Sequence, residues 1–377
     1  MLVSSSKTIH IVSHDVPYPI DYGGVVDIFC TLQALKAKGI SIILHCFEYG
    51  RGEQPILNEY CQEVHYYKRM EGHKGFCFHL PYIVASRSCS DLLERLKQDD
   101  YPILLQGIHS SFLLNHPAFE NRKILLRLFN VETTYYRELA KYERSVLKRA
   151  YLLNESRLLA GQEKKVAKAW PVLTLSERDS QYYREKLQAR QVHYLPVFHP
   201  YKEVRSLEGV GSFCLYHGNL GVAENEKAAI WLLQEVFSKL KIPFVVAGKN
   251  PSQRLQRIAH QHTHTCLVAN PEEREMKDLI TLAQINILPS FNKTGIKLKV
   301  LNALYNGRHC ITNSTALEGS PLAPLCHIGE SEQDLRQLLQ ELYHRPFTEE
   351  EISLRKKILE THFNAAVNAD QLLTYLS

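Results

Sequence analysis

The sequence predicts an α/β chain built as two consecutive doubly wound, Rossmann-like domains, and three observations predict it. Short apolar runs alternate with helix-period segments along the chain, the pattern of parallel strands joined by helical crossovers. The pattern restarts after HPYKEVRSLEGVG at 199–211, a polar stretch containing Pro and Gly. A length of 377 residues also exceeds what one ordinary core organises. The expected division is a first domain over 1–200, a second over 201–361, and a closing helix at 362–377 that packs back on the first domain.

Composition narrows the function class. Apolar content of 45% and charged content of 23% are those of a soluble globular protein. No run approaches the roughly 18 apolar residues of a membrane span, and the opening MLVSSSKTIHIV lacks a cationic start followed by a long apolar segment. A cytoplasmic protein is expected. The nine cysteines are odd in number, scattered and never spaced as CxxC, so they read as reduced core thiols, and no metal site is expected. A net charge of +5 suits an acidic partner, for which nucleotide, phosphate and anionic lipid all fit; no nucleic acid is expected.

In the first half, a strand at 9–13 runs into HDVPYPIDYGG, followed by a helix at 25–38 ended by Gly39 and a strand at 40–47. The pair Gly23-Gly24 lets backbone approach a ligand but lacks the third glycine and the downstream acid of a dinucleotide fingerprint. Strands at 64–67, 103–106 and 124–129 follow, with a helix at 88–98. Side chains just past the carboxyl ends of such strands line one rim, which puts His109, Asn130, Glu132 and Thr133 there. One long helical region is expected at 133–167, basic through residues such as Arg137, Arg144, Lys148 and Arg149, and interleaved with tyrosines. It suits peripheral contact with an anionic membrane on its inner face, or ordinary intrahelical ion pairing with Glu138, Glu143, Glu155 and Glu163. A strand at 171–176 and a helix at 179–187 close this half.

The second half reads as strand 213–216, loop HGNLGVAEN, helix 226–240, strand 244–247, loop GKNP, helix 253–261, strand 266–268 and helix 274–283. Next comes LPSFNKTGIKLKVLNALYNG, with a polar loop at 290–295, a helix at 296–305 stopped by Asn306-Gly307, and a strand at 309–312. Gly295, Lys299, Asn302 and Asn306 share one face of that helix. A loop leading into a helix N-terminus offers free N–H groups and a favourable dipole, and Lys297 and Lys299 add two full charges, so phosphate is the natural guest. Helices at 332–344, 349–361 and 365–376 finish the chain.

These segments resemble, in order, the C-terminal domain of GT-B glycosyltransferases of the group 1, family 4 type. YHGNL followed by Glu224-Asn225 is similar to that family's first C-domain loop, VVAGKNP to its second, and ILPSFNKTGIKLKVLNALYNG with ALEG to its glycine loop and basic helix. PYPIDYGG and FNVETTYYRELA resemble acceptor-side segments of bacterial members. The resemblance implies metal-independent transfer of a hexose from a UDP- or GDP-sugar to a glycan or lipid-linked acceptor, with no cofactor beyond the co-substrate. It implies donor contacts at Gly218, Asn219, Val268, Asn270, Pro271, Ser290, Thr294, Gly295, Ile296, Lys297 and Asn302. It further implies catalytic roles for His109, Lys249 and Lys299, and acceptor-side roles for Gly23, Gly24, Asn130 and Glu132. Thr294 and Asn302 stand where the family commonly has two glutamates, which keeps open a second reading: a catalytically reduced relative that binds a nucleotide sugar or a partner glycosyltransferase.

Overall fold

The computed structural model describes residues 7–143 and 145–376. The described residues of Met1–Pro200 and Phe363–Ser377 form one compact unit, and those of Tyr201–His362 form another.

The first unit is built on a seven-stranded sheet, β1 (Thr8–Ser13), β2 (Ser41–Glu48), β3 (Glu63–Lys68), β4 (Ile103–Gln106), β5 (Ile124–Leu128), β6 (Val172–Thr174) and β7 (Val192–Tyr194), in the order β3-β2-β1-β4-β5-β6-β7. Every pairing is parallel, so both faces must be covered, and the inner strands β2, β1, β4, β5 and β6 are accordingly buried along nearly their whole length. Ile103, Leu105 and Leu126 enter one core, whereas Leu104, Leu125 and Leu173 enter the core on the opposite face. That second core also receives Ala369, Leu372 and Leu376 from the C-terminal helix Ala365–Leu376, which Lys38 ties down through a 2.6 Å bond to Asp370. The strand order reverses between β1 and β4, and in a parallel sheet a crevice opens outside the carboxyl ends at such a point.

One fully buried ion pair crosses this unit. Arg127 on β5 donates from Nε and Nη2 to Asp27 on the helix Gly23–Ala37 at 2.7 and 2.8 Å, and its remaining N–H groups reach the carbonyls of Leu195 and Pro196. Asp27 also accepts from the Phe198 amide at 2.7 Å. Two desolvated charges are tolerable only when each is met by such partners.

The basic stretch is two helices rather than one, Glu132–Tyr142 and Val146–Ala169. Ser145 accepts a bond from the Lys148 amide and so starts the second helix as an N-cap, a signal the periodicity concealed. Arg144 lies outside the described residues. Among the described residues no helix is long and apolar enough to cross a membrane.

The second unit repeats the plan with β8 (Cys214–Asn219), β9 (Phe244–Lys249), β10 (Thr265–Ala269), β11 (Ile285–Ile287), β12 (His309–Thr312) and β13 (His327–Ile328), ordered β10-β9-β8-β11-β12-β13 and parallel throughout. The reversal falls between β8 and β11. At two residues, β13 is too short to have been expected from sequence. Gly248 is required on β9, because a Cβ there would lie 1.8 Å from the carbonyl oxygen of Gly218. The helix expected at 296–305 begins at Leu298, which leaves Gly295, Ile296 and Lys297 in the loop; Gly295 adopts φ 68°, a region open to glycine.

Candidate functional site

In the second unit the reversal point brings together the ends of β8 and β11, the helix Ala223–Trp231 and the helix Leu298–Asn306. Its centre is Lys299. The ammonium lies 4.7 Å above the centroid of the Tyr216 ring and donates to the Tyr216 hydroxyl at 3.2 Å and to Asn225 Oδ1 at 3.0 Å. Tyr216, fully buried, donates from its hydroxyl to the Asn225 backbone carbonyl at 3.1 Å, and Asn225 Nδ2 donates to the Asn219 carbonyl at 2.9 Å. Desolvation pulls the Lys299 pKa down to about 8; Glu224 opposes the shift and Lys297 reinforces it. A lysine so held remains mostly charged at neutral pH, and its charge is poorly screened.

The loop at 288–297 is organised by its own side chains. Ser290 donates to Glu224 Oε1 at 2.6 Å and exchanges bonds with Asn313, its amide donating at 3.0 Å and its carbonyl accepting at 2.9 Å. Asn292 Oδ1 receives the Thr294 amide and hydroxyl at 2.8 and 2.7 Å, and Lys297 donates to the Thr294 carbonyl at 2.7 Å. Phe291 meets the edge of Trp231 at 5.5 Å, fixing the loop to the neighbouring helix. No side chain caps the helix that follows, so its first N–H groups remain a place for an anion.

The sequence-predicted residues divide accordingly. Lys299, Lys297, Gly295, Ile296, Thr294 and Ser290 lie on this loop and helix start, but the Thr294 hydroxyl is turned into the loop and Ser290 is buried as a brace. Asn302 is half-buried, its Oδ1 accepting from Asn306 Nδ2 at 2.8 Å. Gly218 and Asn219 close β8, and Asn219 Oδ1 caps the turn by accepting from the Gly221 amide at 3.1 Å. Lys249 ends β9 with its side chain exposed, while its carbonyl takes the amides of Leu220 and Gly221 at 2.8 and 3.2 Å. Asn270 holds φ 52° and accepts from the Asn250 amide at 2.8 Å, with Val268 and Pro271 half-buried beside it in the chain. Tyr216, Asn225, Glu224 and His217 were not singled out as site residues. The His217 ring is buried, finds no partner for Nε2, and is pushed down to about 3 by desolvation and then by Lys299. Their signal was the strand-end motif YHGNL with Glu224-Asn225.

The first unit has its own polar centre at its reversal point. His109 follows Gly107, which holds φ 90°, and its ring stacks on His14 with centroids 4.5 Å apart. His14 Nε2 lies 3.2 Å from the Tyr22 hydroxyl, which donates to Asp15 at 2.7 Å, and Phe129 meets the His14 ring edge-on at 5.3 Å. Arg87, buried, donates to the His14 carbonyl at 2.8 Å, and Arg51 Nε approaches Asp15 at 3.4 Å. Desolvation, then Arg87, pushes His14 down to about 3, and desolvation followed by His14 holds His109 well below the usual histidine range. Both imidazoles are therefore neutral, and His109 Nδ1 is buried without a partner. The α-carbon of Gly24 faces His14 so closely that a Cβ would stand 3.2 Å from Cε1, and Gly23 opens the same helix. Asn130 Nδ2 lies 3.4 Å from Glu132 Oε1, and Glu132 is raised to about 8 by desolvation and by Glu163. The dipeptide His14-Asp15 directly after β1 is the sequence signal for this cluster.

Comparison with known proteins follows this geometry. Residues 212–343 match the family model described as glycosyl transferases group 1. A 44.6 kDa protein in the cps region of Klebsiella pneumoniae, itself uncharacterised, is 26% identical over 327 residues, covering 82% of this chain and 84% of the relative. Among solved structures, a TarM variant of S. aureus in complex with fondaparinux, alpha-GlcNAc-glycerol and UDP aligns with a TM-score of 0.70 at 9% identity, covering 98% of this chain and 100% of that one. HepE of Anabaena, in complex with UDP and glucose, aligns at 0.61 with 10% identity over 98% and 99% of the two chains. WaaG, a glycosyltransferase involved in lipopolysaccharide biosynthesis, aligns at 0.60 with 13% identity over 96% and 95%. The chain has the GT-B fold, and residues 212–343 of its second unit match the group 1 glycosyl transferase model.

The first-unit geometry makes a direct prediction. In Gly107→Ala the new Cβ would stand 2.5 Å from His109 Nδ1 at a positive φ, so the ring must leave its stack on His14. The variant should lose at least about 1 kcal/mol of stability and shift the His109 ring resonances. An unchanged unfolding midpoint with unchanged resonances would contradict the constraint.

Proposed function

We propose that this GT-B chain transfers a hexose from a nucleoside diphosphate sugar, UDP- or GDP-linked, to a hydroxyl of a glycan or lipid-linked acceptor, without a metal in the donor site. The observation that carries the reading is Lys299, a desolvated ammonium at the strand-order reversal, beside an uncapped helix start and within the segment matched to the group 1 family. In the transfer the bond between the anomeric carbon and the phosphate oxygen breaks, the acceptor oxygen bonds to that carbon, and the acceptor proton departs. Negative charge then grows on the leaving diphosphate. Lys299, Lys297 and the helix-start amides are the groups we assign to meet it, the two lysines replacing the cation a metal would supply. The base is assigned to the neighbourhood of Val268, Asn270 and Pro271, and the ribose to Asn302, whose amide offers both donor and acceptor. His109, neutral with a free ring nitrogen, is assigned to a hexose hydroxyl, and the crevice of Gly23, Gly24, His14 and Asp15 to the acceptor. The bound UDP of TarM and HepE supports the nucleotide class.

The test is a panel of UDP-, GDP-, ADP- and dTDP-sugars read by thermal shift and by donor hydrolysis. One donor should stabilise the fold, by roughly 2.7 kcal/mol at about 100 times its dissociation constant, and be turned over. Stabilisation without turnover in any acceptor mixture would favour the catalytically reduced reading, and no shift with any nucleotide would refute both. Lys299→Met should weaken the nucleoside diphosphate about 10- to 100-fold while leaving nucleoside binding unchanged. The pH dependence has a definite sign. Free Lys299 loses its proton near pH 8, so wild-type affinity should be level below that pH and fall above it, by up to about tenfold per unit, whereas Lys299→Met should be flat. A wild-type profile flat from pH 7 to 9 would remove the assignment.

Peripheral contact with an anionic membrane belongs to the same proposal. Val146 and Leu147 are 80% and 83% exposed at the start of the helix Val146–Ala169, next in sequence to Lys148 and Arg149. The chain should co-sediment with phosphatidylserine-containing vesicles, and a Val146→Asp, Leu147→Asp variant should not; equal recovery of both in the pellet would refute the contact.

A further inference from the structure

We infer that the second unit holds a zinc ion between His309, His327 and Glu351, at a place separate from the nucleotide reading above. His309 opens β12 with its side chain wholly buried. Its Nε2 lies 3.0 Å from the Arg345 carbonyl oxygen, which can only accept, so the ring proton is on Nε2 and Nδ1 carries a lone pair. That Nδ1 has no hydrogen-bond partner and stands 3.6 Å from Glu351 Oε1. The lone pair of Nδ1 thus faces a carboxylate oxygen whose hydrogen bond comes from Arg345, and a cation placed between the two atoms would ligate both. A ligating histidine whose second nitrogen donates to a backbone carbonyl is also the usual means of fixing the ring on a metal.

The third ligand comes from the adjoining strand. β13 pairs with β12 in the register Ile311 to His327, and His309, two residues before Ile311, lies on the same face of the sheet. The two rings are 5.5 Å apart at 62°. One ligand atom from each of His309, His327 and Glu351 lies within 4.8 Å of the others. Tetrahedral zinc with bonds of about 2.0–2.1 Å needs ligand separations of roughly 3.3 Å, so a small rotation of His327 and Glu351 closes the set. Glu351 is already held in the first turn of the helix Glu349–Phe363 by the Thr348 amide at 3.0 Å. It also pairs with Arg345 at 2.8 Å, and this partly exposed guanidinium must swing aside when the ion enters.

Two imidazoles and a carboxylate suit zinc and exclude the all-oxygen preference of magnesium and calcium. His327 and Glu351 line a cavity of about 140 Å³ with Phe347 and Leu354, which is room for a water as fourth ligand. Cys326 lines the same cavity, but its thiol is hydrogen bonded to Cys310, so sulfur is not part of the set. The ion would tie β12 and β13 to the last helix of this unit.

The experiment is titration of the full, chelator-stripped chain with zinc against a chromophoric chelator, and with cobalt(II) followed by absorption. One equivalent should bind, the cobalt spectrum should show visible bands of low coordination number without a thiolate charge-transfer band, and zinc should raise the thermal midpoint. His327→Ala and Glu351→Gln should each weaken the site at least tenfold and abolish the thermal shift. Glu351→Gln retains the shape of the side chain and keeps the test valid if His327→Ala does not fold. No stoichiometric zinc in the wild type, undiminished binding in the variants, or a thiolate band would each overturn the proposal.

Discussion

A lysine ammonium held over the ring of Tyr216, with Asn225 as its second acceptor, is the interaction on which the second unit's site depends. It exists because the sheet reverses its strand order between β8 and β11, so that the helix following β11 can project Lys299 across the end of β8. It also needs the close approach of β8 and β9 that Gly248 permits, and the brace from Ser290 to Glu224 that seats the glycine loop. Backbone packing, loop chemistry and electrostatics converge on one cation. The same desolvation that lowers its proton affinity strengthens its field on any phosphate that replaces water there.

The first unit applies the same topology to a different end. Its reversal between β1 and β4 gathers neutral imidazoles, a carboxylate and two arginines around His14 and His109, where the second unit gathers amides and lysines. Its structural charges are kept apart from this rim: Arg127 and Asp27 satisfy each other in the core. Among the described residues, the buried ring nitrogens without hydrogen-bond partners include His109 Nδ1 at the first reversal point and His217 Nε2 at the second. An unpartnered buried nitrogen is costly, and one stands at each reversal point.

Much of this was legible in the sequence because hydrophobic period and strand-end loops are local signals. The parallel strands, the glycine loop and Lys299 followed from them, as did the GT-B resemblance. The two-residue β13 left no periodic trace, and the break at Ser145 was hidden by charge density on both sides. Tyr216 reads as an ordinary strand residue; only the fold shows a lysine 83 positions away donating to its hydroxyl. His14-Asp15 was visible as a motif, yet its stacking on His109 depends on the pairing of β1 with β4. The candidate zinc ligands are more distant still, since His309, His327 and Glu351 have no motif spacing and meet only through strand register and a later helix.

The central claim is that the reversal point of the second unit receives a nucleoside diphosphate on Lys299 and the preceding loop. Hydrogen–deuterium exchange of the full chain with and without saturating UDP or GDP tests it most directly. The account predicts slowed exchange confined to three segments, the end of β8 with the start of its helix at 216–225, the end of β10 at 268–271, and the loop and first helical turn at 288–302. Protection elsewhere, or none in these segments under conditions where binding is independently measured, would contradict it.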